Sequence, residues 1–149
     1  MINFASVPVN YLAVLVVAIV NMVIGYLYFG PLFGKKYMML MGMSPEKIAE
    51  MKAQGMGKSM GKSYLIAFIG SLVTGCVLST IVAYATGFSQ QGGAWAGIKV
   101  GFMVWLGFAA TVTMSSVLWE RKSWDWWVLM NGYYLVSSAI MGAILASWM

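Results

Sequence analysis

The chain has 149 residues, 61% of them apolar and only 9% charged, where a soluble domain has about half apolar and about a quarter charged residues. That composition excludes a water-soluble globular domain, and the single cysteine and lack of histidine, on a chain of net charge +5, exclude an intrachain disulfide framework and any chemistry that uses imidazole as proton shuttle or metal ligand. What remains is an all-α polytopic membrane protein, a compact bundle forming one domain over 1–149.

Four apolar runs of 23 to 26 residues, 7–30, 64–87, 94–119 and 126–148, are each long enough at helical rise to cross a hydrocarbon core of about 30 Å. Proline interrupts none of them: Pro8 falls in a first turn, Pro31 just after a run and Pro45 in a loop. A closed barrel, the other architecture that satisfies its backbone in lipid, needs alternating segments of about ten residues, and the chain has none. The first lysine is Lys35, so the first run reads as a retained helix and not as a cleaved leader.

In the first run, Asn10, Val14, Ala18, Asn21, Gly25 and Tyr28 share one small and polar face. The polar loop 31–63 follows, with six lysines against Glu46 and Glu50. Within it Ser44-Pro45-Glu46 has the form of a helix start and predicts a short amphipathic surface helix to about Gln54, with Lys52 and Lys58 in water. Met38, Met39, Met41 and Met43 are soft thioethers of the kind that bind Cu(I), but no Cys or His joins them and interfacial packing explains them better. Gly57-Lys58-Ser59 echoes a phosphate-binding loop without the earlier glycine that motif requires.

Along the second run, Ala67, Ser71, Gly75, Ser79, Ala83 and Gly87 recur at every fourth residue, a small-residue ridge suited to close helix packing. The third run places Gly97, Gly101, Val104, Phe108, Thr111 and Ser115 on one face at 100° per residue, with Lys99 pointing away near the membrane surface, where its stem can snorkel. The fourth places Asn131, Leu135, Ser138, Gly142 and Ala146 on one face. The packing set is thus Ser71, Gly75, Ser79, Gly97, Gly101, Ser138 and Gly142. The polar set is Asn21, Thr111, Ser115 and Asn131, which fall at roughly similar depths, about 4–13 Å to one side of the bilayer centre.

Lysine and arginine concentrate in loop 31–63 and turn 120–125, so these are expected on the cytoplasmic side and both termini outside. The polar set has two readings, interhelical hydrogen-bonding glue or a cavity open to a solute or lipid headgroup.

Several short stretches carry a resemblance: Asn10-Tyr11-Leu12-Ala13, Gly30-Pro31-Leu32-Phe33-Gly34-Lys35, Met43-Ser44-Pro45-Glu46, Gly55-Met56-Gly57-Lys58-Ser59, Trp105-Leu106-Gly107-Phe108, Leu118-Trp119-Glu120-Arg121 and Gly132-Tyr133. Together they resemble a bacterial family of four-helix membrane proteins catalogued as a domain of unknown function, number seventeen-sixty-one. The resemblance implies architecture over nearly the full length and brings no established activity with it. The helices offer no acid and no histidine, so the expected role is a non-catalytic packing or binding module in the bacterial cytoplasmic membrane. Its expected partners are membrane lipid and either further copies of itself or another membrane protein, with no nucleic acid, cofactor or metal. A small-solute or ion channel built on the polar set is the alternative.

Overall fold

The computed structural model describes residues 9–54 and 57–148, and among them every regular element is helical. Helix α1 (Tyr11–Leu27) starts where Asn10 caps it, its side-chain oxygen accepting from the backbone N–H groups of Leu12 at 3.1 Å and Ala13 at 3.2 Å. These are two of the donors a helix start leaves unpaired. Val9 and Asn10 are not helical, so the start expected at 7 moves to Tyr11; Val7 and Pro8 lie outside the described residues. At the other end the helix widens into a π-helical turn, Tyr28–Leu32, that contains Pro31. Proline has no N–H to give the α ladder, and the wider turn is closed instead by Phe33 N–H donating to the Tyr28 carbonyl at 2.9 Å.

The polar segment holds two short helices where one was expected. Helix α2 (Gly34–Leu40) follows the widened turn directly, and Gly34 is needed there because a Cβ would stand 2.7 Å from the Phe29 carbonyl oxygen. Helix α3 (Pro45–Ala53) is the expected one, with Ser44 Oγ accepting from Lys47 N–H at 3.3 Å. Lys52 and Lys58, expected in water, have side chains outside the described part of the structure.

Helix α4 (Gly57–Ser89) is 33 residues long, starting well before the expected 64. Lysine and serine side chains project from a helix as easily as from a loop, and a continued helix satisfies its own backbone on approaching lipid. A turn through Gln90 (φ 53°) and Gly93 (φ 88°) leads into α5 (Ala94–Val104), a π-helical stretch Trp105–Ala110 and α6 (Thr111–Leu118). A second turn leads to α7 (Trp124–Ser147), capped by Ser123 Oγ accepting from Trp126 N–H at 3.1 Å and carrying Asp125 in its first turn, where a negative charge suits the helix dipole. Four helical spans, Tyr11–Leu32, Met60–Ser89, Ala94–Leu118 and Trp124–Ser147, are long and apolar enough to cross a membrane. The chain is a polytopic membrane protein.

Helix α7 is the hub, packing on α1, α4, α5 and α6, while α1 pairs chiefly with α4. Val14, Val17, Leu78, Val82, Met141 and Leu145 form the buried centre between α1, α4 and α7. The closest approach joins α5 to α7. A Cβ at Gly97 would collide with the Gly142 carbonyl, one at Gly101 with the Ser138 carbonyl, and one at Gly142 with the Gly97 carbonyl. The two backbones touch, as small residues allow in a membrane where lipid tails supply no hydrophobic drive for helix association. The α4 ridge is buried only in its middle: Ser71, Gly75 and Ser79 are enclosed, with Gly75 against Val17 and Val14, whereas Ala67 and Gly87 at its ends are exposed. The ridge drifts around the helix, so its ends rotate off the contact face.

Replacing Gly97 with Leu is expected to destabilise the detergent-solubilised protein by at least the roughly 1–3 kcal/mol typical of overpacking. Gly107→Leu, at a glycine where an added Cβ would meet nothing within 4 Å, is expected to change stability by less than about 0.5 kcal/mol. Thermal unfolding curves of the two variants check this, and equal losses would remove the α5–α7 contact as the organising one.

Candidate functional site

At the middle of the first span, Asn21 sits among polar groups from two other spans. Its Nδ2 donates to Ser71 Oγ of α4 at 2.8 Å, and its Oδ1 accepts from the Tyr133 hydroxyl of α7 at 3.1 Å and from the Ser137 hydroxyl of α7. Tyr133 and Ser137 are four residues apart and therefore reach the same side of α7. One amide thus ties three spans together.

Asn131 belongs to a different cluster. It is 2% exposed, and its Nδ2 donates to Thr113 Oγ1 at 2.9 Å and to the Trp127 carbonyl at 3.0 Å. Its Oδ1 has no partner among the described residues. Two indoles clasp the third and fourth spans around it: Trp105 Nε1 donates to the Asn131 carbonyl at 3.0 Å and Trp127 Nε1 to the Ala110 carbonyl at 3.3 Å. Asn21 and Asn131, expected in one layer, share no hydrogen bond and no partner.

Thr111 and Ser115 do not join either cluster. Both are exposed and turn their hydroxyls back on their own helix, Thr111 to the Gly107 carbonyl at 2.6 Å and Ser115 to the Val112 carbonyl at 2.7 Å. The π-helical stretch Trp105–Ala110 is the cause. It inserts about one residue into the helical count, so everything after it is rotated by about 100° relative to a straight helix. Inward positions run Gly97, Gly101, Trp105, then Ala110 and Thr113, and Phe108, placed on the small face by a uniform count, is 74% exposed. Lys99 is exposed with its Nζ 5.9 Å from the centre of the Trp95 ring, away from both clusters.

Between α4, the third span and α7 lies a cleft of about 430 Å³. Val77 and Phe108 on its rim are 56% and 74% exposed, so it opens sideways, in the direction of lipid. Trp105, Tyr133 and Tyr134 line it, and Asn21 and Ser137 bring the first polar cluster to it. Tyr133 also joins an aromatic group on the loop side, its ring centre 5.8 Å from that of Tyr28 and 5.0 Å from that of Phe29. The Tyr28 hydroxyl donates to the Leu129 carbonyl at 2.9 Å, which requires Gly132: a Cβ there would stand 2.6 Å from that hydroxyl oxygen. Among the described residues no three His, Cys, Asp or Glu side chains gather in a metal-holding group.

The sequence reading missed Tyr133, Ser137 and Thr113 as cluster members. For the first two a signal was available, since an aromatic hydroxyl and a serine four residues apart inside an apolar helix mark one polar face.

A family model described as a protein of unknown function (DUF1761) matches residues 12–146. No curated protein and no solved structure matches the chain.

Double-mutant cycles on thermal stability separate the clusters. Asn21→Leu and Ser137→Ala are expected to couple by about 0.5–1.5 kcal/mol, the scale of one interhelical hydrogen bond. Asn21→Leu and Asn131→Leu are expected to add within about 0.3–0.5 kcal/mol.

Proposed function

The chain belongs to this family of unknown function, and we propose that it works as a membrane-embedded binding module that takes a lipidic molecule sideways from the bilayer, without catalysis. The observation that carries this reading is the cleft of about 430 Å³ between α4, the third span and α7, which is within the size range of small-molecule sites and mostly apolar with a few convergent polar groups. A ligand that lives in the bilayer enters from the side on which Val77 and Phe108 stand.

Packing as the whole function, by self-association or as an accessory subunit, draws less support. The small faces that motivated it are used inside one chain, Gly97 and Gly101 against Ser138 and Gly142, and Gly75 against α1. The channel reading draws on a single polar layer, and the hydrogen bonds divide that layer into two clusters.

The proposed location is the bacterial cytoplasmic membrane, with segment 31–63 and turn 120–125 in the cytoplasm and both termini outside. Two contacts support this grouping of ends. Lys36 Nζ lies 4.0 Å from Asp125 Oδ1, joining the two segments that hold the loop lysines and arginine at one end of the bundle, and Asn10 Nδ2 lies 3.5 Å from the Trp148 carbonyl at the other. The excess of positive charge then faces the cytoplasm.

Native mass spectrometry of the protein released from nanodiscs of extracted cell lipid is expected to show one retained lipid-mass adduct, lost in Val77→Trp, which fills the cleft from its lipid-facing rim. A protein with no adduct, or with one indifferent to that substitution, is not a binder at this cleft. For orientation, an impermeant thiol reagent applied to intact cells is expected to label a cysteine at Gln90 and not one at Lys47, both in a Cys76→Ala background; the reverse pattern inverts the topology.

A further inference from the structure

The cleft's lining says more about its ligand than that it is lipidic. Among its described lining residues none is charged. An ion at this depth would have no counter-charge, and an unpaired charge in the hydrocarbon is costly. The ligand's polar group is therefore neutral.

The Asn21 amide adds a preference in hydrogen-bonding sense. Asn21 Nδ2 carries two hydrogens and donates one, to Ser71; among the described residues no acceptor takes the other. Asn21 Oδ1 already accepts from both Tyr133 and Ser137. The Asn21 amide thus has a donor left to offer and an acceptor that is already occupied, and the group that matches it is an acceptor such as a carbonyl oxygen.

Depth narrows the class further. Asn21 stands about 15 Å at helical rise from either end of the span Tyr11–Leu32, near the bilayer middle. The charged head of a phospholipid is held at the surface, and its acyl chains carry no oxygen at that depth. A carbonyl that reaches it belongs to a lipid with an uncharged head.

Shape adds the last constraint. Trp105, Phe108, Tyr133 and Tyr134 all line the cleft, and aromatic walls favour a planar ring. Two of the four are held in place, Trp105 by its N–H on the Asn131 carbonyl and Tyr133 by its hydroxyl on Asn21, which lowers the ordering cost of binding. From these observations together we infer that the cleft binds the ring of an isoprenoid quinone, one ring carbonyl accepting from Asn21 Nδ2, the ring between the aromatic walls and the tail leaving past Val77 into lipid. This deepens the binding-module reading and rests on it. It is a binding assignment and includes no redox step.

The test titrates nanodisc-embedded protein with 2,3-dimethoxy-5-methyl-6-decyl-1,4-benzoquinone and with decylbenzene, which has the tail and a ring but no carbonyl, scoring one-to-one complexes by native mass spectrometry. The quinone is expected to bind at least about fivefold tighter than decylbenzene, the value of one net hydrogen bond. Asn21→Leu is expected to erase that preference. Because Asn21 also ties three spans together, Phe108→Ala supplies a second arm at an exposed position, where loss of one aromatic wall weakens quinone binding about threefold or more and leaves the fold intact. Equal affinity for the two probes, or quinone affinity unmoved by Phe108→Ala, overturns the quinone assignment while lipid binding at the cleft stands. If Val77→Trp lowers the binding of neither probe, the cleft is not the site and both readings fall.

Discussion

The bundle depends on one contact, the backbone-on-backbone approach of α5 and α7 at Gly97, Gly101, Ser138 and Gly142. In water such helices would be driven together by their apolar faces; in lipid, shape has to do that work through close van der Waals packing. Side chains as small as hydrogen let the α5 and α7 carbonyls approach, and this fixes both the separation and the rotation of α7. That rotation decides which way Tyr133 and Ser137 point. With them turned towards α1, the Asn21 amide finds two hydroxyl donors; turned elsewhere, it would face hydrocarbon with its carbonyl unpaired.

The π-helical stretch Trp105–Ala110 makes the third span a composite element. Before it the helix presents glycines to α7, and after it the same span presents Ala110 and Thr113 to the Asn131 cluster. A straight helix would have kept one small stripe along its length. Extra backbone in a widened turn leaves carbonyls with poorer intrahelical partners, and here Thr113 and Trp127 supply hydrogen bonds to Ala109 and Ala110. The same device closes the first span, where Pro31 sits inside a π-helical turn.

Much of the architecture was legible because it rests on coarse physical signals. Long apolar runs give the four spans, and Ser44-Pro45 gives the start of α3. Positions Gly97, Gly101, Ser138 and Gly142 were recognisable as small residues at helical spacing, since a missing side chain is itself the signal. The polar set was only half legible. Asn21 and Asn131 stand out in any apolar run, but their partners depend on helix rotation, and rotation beyond Trp105 depends on one inserted residue that has no composition mark of its own. Thr111 and Ser115 were therefore chosen where Thr113 acts. The cleft was not legible at all, because a gap between helices is a property of their relative placement and belongs to no single stretch of sequence.

The hub of this bundle, α7, follows the other three spans in chain order, so a ribosome makes it after them. Until α7 emerges, α5 has no partner for its two glycines, and Asn21 reaches only Ser71 across the α1–α4 pair. The first three spans alone therefore lack both hydroxyls that donate to the Asn21 carbonyl. With α7 come the partner of α5, the two hydroxyls that donate to the Asn21 amide and one wall of the cleft, all together. A chain truncated before α7 would lack one wall of the cleft and would leave the Asn21 carbonyl to face lipid without those donors.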